Sequence, residues 1–411
     1  MWLMSRRIPY LSVSMLGITV AIIGPCAAAR SAAATDPRPN IVVLIADDQR
    51  FDTIHALGNP HIRTPNLDSL VHEGMAFTHA YIMGSMQGAV CVPSRAMLMT
   101  GRTLFRATVS PASQVIPPRA ALWPAVMRDA GYTAFGIGKW HNDRQSFARA
   151  FEGGGPIFFG GMSDHNRVTV SDFDPTGQYP KSAQRVGEKF DTELFADAAE
   201  AFLRGYQGSR PFFLYVAFTA PHDPRTPPKA FADLYRVERI PLPENFMPEH
   251  PFDNGELEVR DEKLLPRPRT PEAVQREIAL YYGMITHLDA QIGRILAALE
   301  ASGRSRDTIV VFTGDNGLAV GQHGLLGKQN LYEHSLRVPL VLRGPGIPKG
   351  KTSDALCYLL DLFPTICAWT GLAIPRGVEG SNLAPVIRGD RSRVRDSIFA
   401  AYRDLQRMVR D

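Results

Sequence analysis

The stretch Asn40-Ile41-Val42-Val43-Leu44-Ile45-Ala46-Asp47-Asp48 decides the fold. Its first seven residues form an unbroken apolar run rich in β-branched side chains. A half-exposed strand alternates polar and apolar positions. An unbroken run is a strand covered on both faces, the habit of parallel sheets flanked by helices. The run stops at two adjacent carboxylates. These repel each other, and at the end of a central strand they need a cation; a turn or a helix cap is the other use of such a pair.

Working outward, residues 132–138, 211–219, 307–313 and 338–342 read as further strands. Between them lie helical signals at 64–74, 122–130 and 190–204. A long helix runs from Thr270-Pro271 to about residue 302, where Gly303 stops it, and residues 353–370 carry helical signals around Pro364. This alternation predicts an α/β fold with a mainly parallel central sheet and helices on both faces. Four of the strands are followed at their carboxyl ends by residues fit for chemistry: Asp47 and Asp48, Lys139 and His141, His222, and Asp315 with Asn316. Open α/β sheets place their ligands beyond that edge. Taken singly each signal has a bland reading: a satisfied histidine, or a hairpin turn at Asn316-Gly317. His72, His287 and Asp289 read as structural.

A second stretch carries the chemistry. In Cys91-Val92-Pro93-Ser94-Arg95, Pro93 suits the first turn of a helix and Gly101 the left-handed residue after its end. Cys91 then lies at the mouth of a short helix, where free N–H groups and the dipole attract an anion. Arg95, one turn on, adds a fixed cation. Lys139 and His141, two apart after a strand, fall on one side of an extended backbone. A nucleophile, an anion site and an arginine suggest transfer of a sulfate or phosphate. A small buried cysteine is the alternative.

Cys91-Val92-Pro93-Ser94-Arg95 followed by Thr100-Gly101-Arg102 resembles the signature of the formylglycine-dependent (type I) sulfatases of the alkaline phosphatase superfamily. Gly138-Lys139-Trp140-His141 and Ala220-Pro221-His222 resemble two further motifs of that family, and Lys328 resembles its second sulfate-binding lysine. The resemblance runs in scattered motifs from Arg38 to Arg410. It implies an alkaline phosphatase-like fold and hydrolysis of sulfate monoesters. It implies that a formylglycine-generating or other sulfatase-maturating enzyme converts Cys91 to formylglycine. It further implies one Ca²⁺ held by Asp47, Asp48, Asp315, Asn316 and residue 91; hard oxygen ligands suit calcium better than zinc. The implied roles are charge stabilisation for Arg95, Lys139 and Lys328, general acid for His222, and bases for Asp315 and His141. His323 is a weaker candidate for the substrate side, and Glu333 for ordering the nearby loop. Family members usually continue into a small antiparallel subdomain, so residues 391–411 are expected to be the start of a truncated one, after a catalytic domain at 35–390.

Composition bounds the rest. The 411 residues are 45% hydrophobic, enough for a large core, and the net charge of +4 includes Arg6, Arg7 and Arg30 near the N-terminus. No basic run suggests nucleic acid. Residues 1–34 read as a signal peptide: Arg6 and Arg7, then an apolar stretch at 11–23 too short for a comfortable membrane span, then the small-residue runs around Ala27 and Ala32. A lipoprotein reading of Cys26 fits poorly after Pro25. The expectation is an exported, periplasmic or secreted protein with no stable membrane span after cleavage. Cys357 and Cys367 read as core thiols. Gly153-Gly154-Gly155 and Phe158-Phe159-Gly160-Gly161 read as loops whose aromatics either stack on sugars or plug the core, and 224–270 as a proline-rich surface excursion.

The group transferred is expected to be a monoanionic sulfate, most plausibly on a carbohydrate, because one oxygen-rich metal site and three cations suit a single negative charge. A formylglycine phosphodiesterase or phosphonate hydrolase is the enzymatic alternative. A non-catalytic secreted protein that binds sulfated glycans is the other.

Overall fold

The computed structural model describes residues 1–2, 4–12, 36 and 38–411. Residues 1–12, where described, contain no helix or strand, and residues 36–411 form one compact unit. The expected signal-peptide core, its small-residue runs and Cys26 lie outside the described residues. Among the described residues no helix is long and apolar enough to cross a membrane.

Asn40–Ala46 is a strand buried along its whole length. It pairs in parallel with Phe212–Ala217 on one side and Thr308–Gly314 on the other. The nine-stranded sheet continues outward to Thr133–Lys139 and Gly153–Phe158 on the first side. On the second side it continues to Arg337–Arg343, Met75–Tyr81 and Lys351–Ser353, with Cys357–Tyr358 also on Met75–Tyr81. Only Arg337–Arg343 runs antiparallel to its neighbours. The expected mainly parallel central sheet is therefore present.

The period of two divides the apolar strand between two cores. Ile41, Val43 and Ile45 pack with Met97, Trp123, Phe147 and Phe363. Val42, Leu44 and Ala46 face the other way, onto Leu67, Phe195, Leu288 and Ile292. The first face carries the helices Cys91–Thr100, Trp123–Asp129, Arg144–Ala150 and Leu362–Trp369. The second carries Pro65–Glu73, Asp191–Gly205 and Pro271–Ala301. The long helix begins at Thr270, whose hydroxyl accepts from the Ala273 N–H at 3.2 Å. Such a cap contributes about 1 kcal/mol. His287 and Asp289 on it are structural, as expected. Asp289 accepts from the Asn66 and Leu67 amides and so caps Pro65–Glu73.

Two local expectations are corrected, and one open alternative is decided. Gly153-Gly154-Gly155 is not a loop but part of the edge strand Gly153–Phe158. Bare backbone is required there, because a Cβ on Gly154 would lie 2.4 Å from the Gly136 carbonyl oxygen of the next strand. The aromatics at 158–159 plug the core: Phe159 packs on Tyr179 at 4.7 Å and on Phe147 at 5.9 Å. The helical signals at 353–370 resolve into two short strands and a helix confined to Leu362–Trp369. Cys357 and Cys367 are buried free thiols.

Residues 398–410 form an antiparallel hairpin, Ile398–Tyr402 with Gln406–Arg410. Its first strand also pairs in parallel with Gly84–Ser85, just before the Cys91 helix. This part of the chain therefore supports the approach to the site.

Candidate active site

The helix starts at Cys91 and closes at Gly101, where φ is 62° and the N–H reaches Met97 O at 2.8 Å. All ten of its residues are buried. Its mouth is less open than expected. The Val92 and Ser94 N–H groups already bond Ala89 O and Val90 O, each at 3.3 Å, and Pro93 has none. Side chains, not backbone amides, supply most of the positive charge.

Asp47 and Asp48 lie just past Asn40–Ala46, and Asp315 and Asn316 just past the parallel neighbour Thr308–Gly314. The pairing brings the two turns together. The Asp48 N–H donates to Asp315 Oδ1 at 3.0 Å, and Asn316 Nδ2 donates to Asp48 Oδ1 at 2.6 Å. Asp48 holds a positive φ of 67°, an uncommon conformation that the Tyr281 hydroxyl supports by donating to the Asp48 carbonyl at 2.6 Å. Asp47, Asp315 and the Cys91 sulfur each place an atom within 4.8 Å of the others, and so do Asp47, Asp48 and His222.

Three cations close around these carboxylates. Arg95 Nε donates to Asp315 Oδ2 at 2.8 Å, and its Nη1 to Lys139 O at 2.8 Å. Its Nη2 is buried without an acceptor, 3.7 Å from Asp47. Lys139 Nζ bonds Asp47 and the Gly161 carbonyl. Lys328 Nζ bonds both Asp48 oxygens, at 2.7 and 2.8 Å. All the sequence candidates for the chemical centre thus meet in one place. Lys139 and His141 do so by a route not foreseen: His141 has φ of 63°, so its ring turns back to Cys91 from a left-handed residue rather than from an extended one. His141 Nδ1 is 3.1 Å from Cys91 Sγ. His222 stands across the cavity, its Nε2 3.6 Å from Asp48 and its Nδ1 donating to the Asp223 carbonyl at 2.8 Å.

The electrostatics follow from burial. Burial would raise Asp48, but the ammonium of Lys328, with His222 and Lys139, overrides it and holds the carboxyl below the usual range. Burial, then the negative charge of Asp47, pushes Asp315 up to about 6. Burial also raises Cys91 to about 11, so the encoded thiol is un-ionised at neutral pH. Burial, then Lys139, pushes His141 well down. Burial, then Lys328, brings His222 to about 4. Both rings are neutral near pH 7.

The donor set fits a hard cation. Asp47 Oδ1 and Asn316 Oδ1 are buried with no hydrogen-bond partner. Two orphaned acceptor oxygens beside two further carboxylates are costly unless a cation meets them.

Two sequence candidates fall elsewhere. His323 lines a separate cleft, stacked on Tyr332 at 4.3 Å. Glu333 accepts from the Tyr81 hydroxyl at 3.0 Å and pairs with Arg410, so it does tie its loop down. His72 is exposed on its helix. Several residues near the centre carried no sequence signal. His165 lies between Asp191, at 2.9 Å, and the His222 carbonyl, at 3.0 Å. Burial would lower it, but Asp191 raises it, so the ring donates both ways and braces the His222 turn. Met162, Arg260, Asp261 and Gln329 wall the cavity of about 320 Å³ in which Cys91, His141, His222 and Lys328 lie. A lone histidine or a charged pair in an irregular segment offers no periodicity to read.

A sequence model of the family described as Sulfatase matches residues 39–372. The chain belongs to the sulfatase family. It is a sulfuric ester hydrolase. The arylsulfatase of Clostridium perfringens is 31% identical over 89% of this chain and 82% of its own length. The N-acetylglucosamine-6-O-sulfatase of Bacteroides thetaiotaomicron is 26% identical over 89% of this chain and 74% of its own. A solved structure of a protein in complex with its substrate D-glucosamine-2-N,6-O-disulfate aligns with a TM-score of 0.75 and 24% identity, covering 90% of this sulfatase and 86% of that chain. That likeness shows the shared fold.

Proposed function

We propose that this sulfatase hydrolyses carbohydrate sulfate monoesters through a formylglycine formed at position 91 and one bound Ca²⁺. The observation that carries the reading is the pair of orphaned buried oxygens, Asp47 Oδ1 and Asn316 Oδ1, in one cluster with Asp48, Asp315 and Cys91. The carbohydrate part is supported by the named activity of the Bacteroides relative.

In this reading Asp47, Asp48, Asp315, Asn316 and residue 91 would hold calcium, which would supply positive charge to the transferring group. A hydrated formylglycine supplies two hydroxyls on one carbon, one to attack sulfur and one whose deprotonation expels sulfate. The Cys91 sulfur marks where they stand. As a neutral thiol it is itself a poor nucleophile, and oxidation by a maturating enzyme removes that defect. Arg95 fixes Asp315, the base for the attacking hydroxyl, and turns its unpartnered Nη2 toward the site. Lys139 and Lys328 balance charge on the transferring group. His141, 3.1 Å from Cys91 and neutral, accepts the proton of the second hydroxyl. His222 delivers a proton to the leaving oxygen; the negative charge of bound sulfate opposes the depression caused by Lys328 and favours the protonated ring.

A single monoanionic group between three cations is favoured over a phosphate monoester dianion. The test compares kcat/KM for matched aryl sulfate, phosphate monoester and phosphate diester, followed by sulfated mono- and oligosaccharides. Sulfate preference and sugar desulfation are expected. Diester preference would assign the protein to phosphodiester chemistry, and aryl activity alone would remove the carbohydrate. We further read residues 1–34 as a signal peptide and 35–390 as the catalytic domain, with 391–411 as a C-terminal segment built on the hairpin Ile398–Tyr402 and Gln406–Arg410. N-terminal sequencing of exported protein should begin near residue 35.

A further inference from the structure

The floor of the catalytic pocket holds three cations, Arg95, Lys139 and Lys328, each beside a carboxylate; the mouth has a different balance. Arg260, on the proline-rich excursion, lines the mouth and looks like a ready binder for a second anion on the substrate. Its donors are spent. Nε bonds Asp261 Oδ1 at 3.0 Å. Nη2 bonds Asp261 Oδ1 at 2.6 Å and Asp223 Oδ1 at 2.9 Å. Nη1 bonds Asp223 Oδ2 and meets the Met162 sulfur. A guanidinium has five N–H groups; four go to the two carboxylates, and the fifth lies against the Met162 sulfur, a weak acceptor. One positive charge between two carboxylates leaves the local sum at minus one. Asp261 also lines the pocket, and its other oxygen takes the Gln329 amide at 2.9 Å. Arg403, whose Nη2 comes near Gly88, forms an ion pair with Glu256 through Nη1 at 2.8 Å. Ala89, Gly161, Met162 and Val259 complete the wall and add no charge.

We propose that the mouth selects leaving groups that carry no second anionic group, with Asp261 as the specificity-determining residue and Arg260 as the strut that holds it. An anion placed across a sugar ring from the reacting sulfate meets the Asp261 carboxylate, and the Arg260 donors beside it are already held by carboxylates. This rests on the carbohydrate sulfatase reading, and it names the substrate class: monosulfated, otherwise uncharged sugars, such as an N-acetylated hexosamine sulfate rather than its N-sulfated counterpart.

The test uses the mature, calcium-loaded enzyme and glucosamine 6-O-sulfate in two forms, N-acetylated and N-sulfated. The N-acetylated form should be preferred by about tenfold or more in kcat/KM, mostly through KM, as expected for one uncompensated charge at close range. Asp261→Asn keeps shape and removes the charge, and it should narrow the preference to about threefold or less by improving use of the N-sulfated form. Equal use of the two sugars by the native enzyme, preference for the N-sulfated one, or an unchanged ratio in Asp261→Asn would each overturn the proposal. A parallel pair of aryl sulfates, one with a neutral acetamido and one with a carboxylate substituent, separates the two claims. If neither sugar is cleaved and the neutral aryl sulfate is still preferred, the carbohydrate reading fails and the selection against a second anion stands.

Discussion

Two of the cavities in the molecule differ sharply in how their polar groups are met. The larger, about 720 Å³, is lined among others by Arg50, His61, Asn245, His323, Tyr332 and His334. The catalytic one measures about 320 Å³. In the larger the polar groups satisfy one another. Arg50 pairs with Asp52 at 2.8 Å, His323 meets Asn245 at 3.0 Å, and Tyr332 stacks between His323 and His334 at 4.3 and 5.5 Å. Among the described residues only His334 Nε2 is left buried and unpartnered on that lining. Beneath the smaller, behind Cys91 and Lys328, four carboxylate or amide side chains and three cations are forced together, and Asp47 Oδ1 and Asn316 Oδ1 stay unmet. Volume does not locate chemistry here; buried acceptor oxygens left without a partner do, because a ligand can offset their cost.

The contrast is sharpest at residue 91. Cys91→Ala should lower kcat by at least about 10⁴-fold while leaving the thermal transition intact, since a nucleophile is lost and a small side chain is exchanged. A variant that keeps more than a hundredth of native activity would move the nucleophile elsewhere. Lys328→Ala comes next. It removes one charge donor from the transferring group and leaves Asp48 without its partner, so kcat/KM should fall by about 10²–10³. A loss under tenfold would mean the floor does not bind sulfate through this lysine.

A third test concerns the cation. Asp315 has its carboxyl raised to about 6 in the ion-free protein, so below that pH it carries a proton that calcium must displace. Ionised Asp315 also destabilises the ion-free fold as pH rises from its unfolded value of 3.8 toward 6, a penalty that bound calcium removes. Calcium affinity should therefore be about tenfold weaker at pH 5 than at pH 7, and the calcium-induced rise in melting temperature correspondingly smaller. Titration calorimetry and melting curves at the two pH values check both. An equal or larger effect at pH 5 would contradict the Asp315 assignment. The smallest effect is expected in the large cleft. His323→Ala should change aryl sulfate turnover by about twofold or less, and a tenfold loss would show that this cleft takes part in the chemistry.

The central sheet and nearly the whole chemical centre were legible because their signals are local. An apolar run ending in Asp47-Asp48 states its own burial, and the pentad at Cys91 its own helix start. What escaped depends on distant neighbours. Gly153 and Gly154 look like a loop until Phe135 beside the first, and Gly136 and Phe147 beside the second, are seen to leave little or no room for a side chain. His141 reaches Cys91 through a left-handed φ that no spacing rule encodes. Arg260 and Asp261 lie in a segment without period, and only Asp223 and Met162, far off in the chain, reveal that the arginine is fully engaged. The small size of the catalytic pocket was equally unreadable, since it is set by that loop.

The most direct measurement is the mass of the peptide containing Cys91, taken from calcium-loaded protein matured in its own host and shown to cleave a sulfate ester. The account predicts a peptide lighter than its encoded mass, reactive toward hydrazide reagents, in proportion to specific activity. Fully active protein whose Cys91 peptide carries only an intact thiol would contradict it.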